Sequence, residues 1–162
     1  MPERAQHASS GEESARAAWL GLLSRADPSL LEERLKAAKE ALGGLPNWRW
    51  LRPPETGSVM LRGRTGGTGA PFNLGEMTVT RCTLSLEAGA VGHAMVPGSD
   101  RSHAERVALL DALMQDDAAR KTLRQTLIDP LRLAERETAT KRAGRAAATK
   151  VDFFTMVRGE NT

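Results

Sequence analysis

Apolar residues first recur at helical spacing at Ala15, Trp19, Leu22 and Leu23, which predicts a helix starting near Glu13. Residues 1–12 ahead of it offer nothing to bury and read as a disordered tail, leaving 13–162 as one domain. Asp27-Pro28 marks a second start: Asp caps, and proline at the first helical position forfeits a donor that has no partner there anyway. Leu31, Leu35, Ala38 and Leu42 line the stripe that follows, and Gly43-Gly44 with Pro46 ends it. Pro53-Pro54 then marks a boundary, after which the periodicity changes.

Ser58–Arg64 and the Thr/Val-rich run Glu76–Glu87 read as strands, and after a turn at Ala88-Gly89 a third runs from Ala90 to Val96. The second strand does not alternate cleanly. Met77 and Val79 share one face, Cys82, Leu84 and Leu86 the other, and a bulge near Arg81 reconciles the two. Pro97-Gly98 ends the sheet. Asp100, or a capping box Ser102-x-x-Glu105, opens a third helix striped by Ala104, Val107, Leu110 and Met114. Asp116-Asp117 opens another toward Leu127, and Asp129-Pro130 repeats the cap-plus-proline signal before a last helix. From Leu133 to Lys150 that helix has almost no large apolar residue, so it is expected to pack against something. Residues 151–157 (VDFFTMV) are apolar again and fit either the end of the helix or a terminal strand. The pattern is α+β: an N-terminal helical pair, a small antiparallel sheet, then C-terminal helices.

Composition narrows the function. The longest apolar run, Ala17 to Leu23, falls short of the ~18 residues of a membrane span, and residues 1–13 lack a signal-peptide core. One cysteine, Cys82, excludes an internal disulfide framework or a four-cysteine cluster and suggests a cytoplasmic chain. Three Trp, three Phe and no Tyr are too few for a single-strand stacking platform, and the net charge of +3 is no clustered basic stripe, so nucleic acid is not expected.

The distinctive segment lies between the first two strands, where five glycines fall between Gly63 and Gly75. It matches neither a P-loop nor a dinucleotide fingerprint. Gly63, Gly66, Gly67 and Gly69 free backbone N–H groups to converge on an anion, with Arg62, Arg64 and Arg81 adding charge. A tightly bent inter-strand loop whose arginines pair with carboxylates accounts for the same residues. His93, Asp100, His103 and Glu105 are weaker candidates: His-x-Glu suits a metal or a proton shuttle, but no second ligand pair is near, and Asp100 and Glu105 also suit a helix start. No metal is expected. Cys82 reads as a small buried hydrophobe and Lys141–Lys150 as a solvated helix face or a partner surface.

Several stretches occur in an order that resembles a known family. Arg52-Pro-Pro-Glu55-Thr-Gly57, Arg64-Thr-Gly66-Gly-Thr-Gly69 and Gly75-Glu76-Met-Thr-Val-Thr-Arg81 follow one another. Asp100-Arg-Ser-His103-Ala-Glu105 leads into Leu109-Leu-Asp111-Ala-Leu113-Met-Gln115, and the tail runs from Arg145 to Gly159. With Trp19-Leu20, these resemble the PhnG family, the small subunit of the bacterial carbon–phosphorus lyase core complex of phosphonate catabolism. The resemblance implies a non-redox subunit assembling with three other core subunits and an accessory ATP-binding-cassette-like protein. The assembly would transfer an alkylphosphonate to the ribose 1-position of ATP with release of adenine. ATP and alkylphosphonate would be substrates of the complex, and this chain alone would bind no cofactor. The resemblance carries no catalytic residue. A free-standing small-anion-binding module is the alternative.

Overall fold

The computed structural model describes residues 3–149, with side chains from residue 13 onward. The N-terminal pair comprises α1 (Glu3–Arg25) and α2 (Pro28–Ala41). The strands are β1 (Trp48–Arg64), β2 (Pro71–Leu86) and β3 (Val91–Pro97), followed by α3 (Arg101–Leu113), α4 (Asp117–Leu123) and α5 (Asp129–Ala148). The strands form one antiparallel sheet in the order β1-β2-β3. This is the expected α+β arrangement.

The caps follow the sequence. Asp27 accepts from the N–H groups of Ser29 and Leu30, Asp100 from that of His103 and Asp116 from that of Ala119. The Gly44 N–H closes α2 by donating to Lys39 O.

Four expectations are corrected. Helix α1 begins at Glu3, not near Glu13, because Glu3, Ala5 and Gln6 favour a helix even without an apolar stripe. Pro53-Pro54 lies inside β1, which starts at Trp48. An edge strand tolerates missing donors, and β1 shifts register between Trp50 and Arg52 and between Arg52 and Glu55. These irregularities are the bulge expected near Arg81, placed on the opposite strand: β2 itself pairs regularly with β3 from Val79 to Ser85. Finally, α5 does open at Asp129-Pro130, but without the expected aspartate cap, because the chain is already helical there. Ile128 has φ −67° and ψ −47°, and a π-helical stretch, Arg124–Ile128, carries α4 into α5. That wider turn accommodates a proline that can neither donate to the ladder nor fit under the preceding carbonyl.

The core lies between the inner face of the sheet and the helices. Leu84 and Val96 meet Val107, Leu110 and Met114 of α3, with Leu23, Leu31, Leu123, Leu127 and Ile128 completing it. Helix α3 presses so closely on β3 that a Cβ at Gly92 would run into Ala108 O and come within 2.8 Å of Ala112 N. Beyond Leu131 the last helix leaves this body. Every residue from Glu135 to Thr149 is exposed, so the expected packing of that helix is not met among the described residues. Residues 151–157 lie outside the described residues.

Candidate functional site

The glycine loop is the tip of a long β1–β2 hairpin. Thr65–Gly67 form a 3₁₀ turn, and Gly66 and Gly67 adopt φ +59° and +83°, values that disfavour any Cβ. Two of the loop's donors are turned inward: the Thr68 and Gly69 N–H groups both donate to Thr65 O. Arg64 donates to Gly69 O at 3.1 Å, which braces the tip.

The three arginines do not converge. Cross-strand partners share a face. Arg62 pairs with Asn73 and Arg64 with Pro71, on the side of the sheet that carries Thr80 and Leu84. Arg81 pairs with Glu55 on the opposite side, eight residues along β2 from Asn73, or roughly 25 Å at ~3.3 Å per residue. Its closest charge is Glu55, at 3.7 Å.

The weaker candidates also separate. Asp100 caps α3. His103 is buried in the first turn of α3, with Nε2 3.1 Å from Leu23 O and Nδ1 unpartnered. His93 is exposed on the other face of the sheet, Nδ1 3.2 Å from Thr83 Oγ1. Glu105 is half-buried, close enough to Cys82 to act on its thiol. Burial first, and the Glu105 charge second, push that thiol up to about 11. It is therefore protonated and unreactive at neutral pH. No three His, Cys, Asp or Glu side chains among the described residues group as metal ligands.

The structure brings together two constellations that spacing did not reveal. The first centres on Asp111, fully buried in α3. Its carboxylate accepts from Arg16 Nε at 3.1 Å and Nη2 at 2.7 Å, from Trp19 Nε1 at 2.9 Å and from the His93 N–H at 2.9 Å. Arg16 and Gln115 both donate to Val91 O. A charged carboxylate deep in a helix is tolerable only when so fully bonded. The sequence signal was an acid interrupting the apolar run Val107–Met114. All of Asp111's bonding goes to holding α1, β3 and α3 together.

The second is a row on the outer face of the sheet, where Arg52, Thr83 and His93 are successive cross-strand partners and Arg81 follows in the next rung. With Leu20 and Met95 they line a shallow open hollow of about 290 Å³. A larger groove, about 600 Å³, runs between the α1–α2 turn and α5. Its apolar floor of Leu22, Leu30 and Leu131 lies beside the Arg25–Glu135 ion pair.

Comparison with known proteins leads to the family that these motifs resemble. Residues 14–159 match the family described as phosphonate metabolism protein PhnG. A relative from Rhizobium meliloti (strain 1021), named alpha-D-ribose 1-methylphosphonate 5-triphosphate synthase subunit PhnG, is 44% identical over 127 residues. That alignment covers 78% of this chain and 81% of the relative. A match that spans the caps, the hairpin and the α3 cluster makes this chain a member of the PhnG family, whose setting is phosphonate metabolism.

Proposed function

We propose that this chain is a non-redox subunit of a carbon–phosphorus lyase core complex. It supports transfer of an alkylphosphonate onto the ribose 1-position of ATP, with release of adenine, and its role is to build and position the complex. The observation that carries this reading is the 44% identity, over 78% of this chain, to a protein named as a subunit of the corresponding synthase. The internal use of Asp111 and the self-closed glycine loop support a scaffolding role over a catalytic one. The partners are the other three core subunits and an accessory ATP-binding-cassette-like protein, in the cytoplasm. ATP and alkylphosphonate are substrates of the assembly, and this chain contributes no cofactor.

The test is co-expression with the other three core proteins, followed by mass measurement and an assay of adenine release from ATP on adding methylphosphonate. Co-purification and phosphonate-dependent release that requires this chain are expected. A chain that stays apart from all three, with release unchanged in its absence, overturns the proposal. Gly67→Val and Arg64→Ala then locate the loop's part. A loop that builds the interface lowers the yield of complex and leaves its turnover normal, whereas a loop that meets substrate leaves yield normal and slows adenine release.

A further inference from the structure

The outer face of the sheet is largely uncovered among the described residues: Val79 and Ser85 are buried in it, but Arg49, Arg52, Arg81 and His93 are exposed. Helix α3 lies over the inner face and α1 runs beside β3. Antiparallel sheets tolerate one wet face when its side chains are polar. This face breaks that rule beyond the last β3 rung, Val79–Pro97. Here β1 and β2 continue as a two-stranded arm with Val59 opposite Met77 and Phe72 opposite Gly63, and Leu61 between them on the same side. Phe72 is 44% exposed, and no residue of the arm is buried. A lone two-stranded hairpin is marginal in water, and an unpaired edge is a ready template for another chain.

The other half of the same face is cationic. Arg49, Arg52, Arg81 and His93 project from it against one carboxylate, Glu55, which pairs weakly with Arg81. Two copies of this chain placed face to face would oppose like charges. A small anion would use the cationic end and leave the apolar arm wet.

We propose that the outer face of the sheet, from Arg52 and Arg81 to the apolar arm at Leu61 and Phe72, is the docking surface for a different protein chain of the same assembly. That chain sets carboxylates over the two arginines and apolar side chains along the arm. The inference rests on the subunit reading above and names the surface that reading needs.

The test uses the full-length chain co-expressed with the other three core proteins. The double variant Arg52→Glu/Arg81→Glu and the single variant Leu61→Asp are compared with Lys36→Glu on α2, and circular dichroism of each full-length chain checks the fold. At least a tenfold loss of co-purified complex is expected for the first two and none for Lys36→Glu. Amides of residues 58–64 should exchange at least tenfold more slowly in the wild-type complex than in the chain alone. Full assembly of both face variants, or an equal loss in Lys36→Glu, overturns the inference while leaving the subunit reading intact. Failure of the wild-type chain to co-purify overturns both. Tripolyphosphate titrated into the full-length chain tests the remaining occupant. Binding lost in the arginine double variant while its complex assembles normally would make the face a small-anion site and overturn the docking proposal.

Discussion

The two halves of the β1–β2 hairpin are one continuous ladder with opposite energetics. In the half paired with β3, the inner side chains Leu84 and Val96 are fully buried and His93 ties the β3 edge to Asp111. In the half beyond Val79, cross-strand hydrogen bonding continues through seven pairings from Ser58–Thr78 to Arg64–Pro71 with no buried residue. Backbone pairing is thus common to both, and burial alone separates them. Removing apolar surface from water is the dominant gain on folding, while the net worth of each hydrogen bond is small. The first half is stabilised from within the chain, and the second finds no comparable burial among the described residues.

That contrast is most exposed at Asp111. Asp111→Ala strips the acceptor from four N–H groups, leaves the Arg16 charge without its partner, and should cost about 3–5 kcal/mol. Urea denaturation of the full-length chain measures it. Asp111→Asn, which keeps one acceptor oxygen, should lose less. Equal stability of Asp111→Ala and wild type would mean that the body is not held by this cluster.

Truncations on the two halves sharpen the comparison. Leu84→Ala, in the body, should lose about 2–5 kcal/mol, as buried leucines do. Leu61→Ala, on the arm, should lose less than about 1 kcal/mol in the chain alone. The same denaturation curves decide it, and similar losses would show that the arm is already buried.

Glycines give a third pair. Gly92→Ala forces a methyl into the α3 backbone and should destabilise by about 1–3 kcal/mol. Gly57→Ala, where a Cβ meets nothing within 4 Å, should stay within about 0.5 kcal/mol of wild type.

The smallest effect is a pH dependence. The Cys82 thiol titrates near 9 when free and about 11 when folded. The unfolded chain releases this proton first, so stability is full below pH 9 and falls as pH rises from 9 to 11. Cys82→Ala should flatten that part of the stability–pH curve and leave phosphonate-dependent growth intact. An unchanged slope would assign the fall to other groups.

What the sequence revealed depended on how local the cause was. Asp27, Asp100 and Asp116 cap their helices through donors two or three residues on, so short motifs disclosed them. Pro53-Pro54 misled because its meaning depends on whether β1 lies at an edge, which only the assembled sheet decides. Arg62, Arg64 and Arg81 looked like one group because they flank one loop, whereas strand pleating and hairpin length put Arg81 on another face. The role of Asp111, visible only as an acid in an apolar run, and the Arg52–Thr83–His93 row escaped for the converse reason. Their partners are 18 to 95 residues away, or on neighbouring strands.

The clasp on the first part of β3 has a consequence for growth. The His93 N–H and Val91 O would otherwise invite a further strand, but Asp111, Arg16 and Gln115 already engage them. The β1 edge, from Thr56 outward, carries no such stopper. Along Val91–His93 a further strand is therefore blocked, whereas the arm beyond Val79 leaves both its β1 and its β2 edge unpaired among the described residues. Strand addition is thereby steered away from the start of β3 and toward the arm and the β1 side, which sets where a neighbouring strand can join.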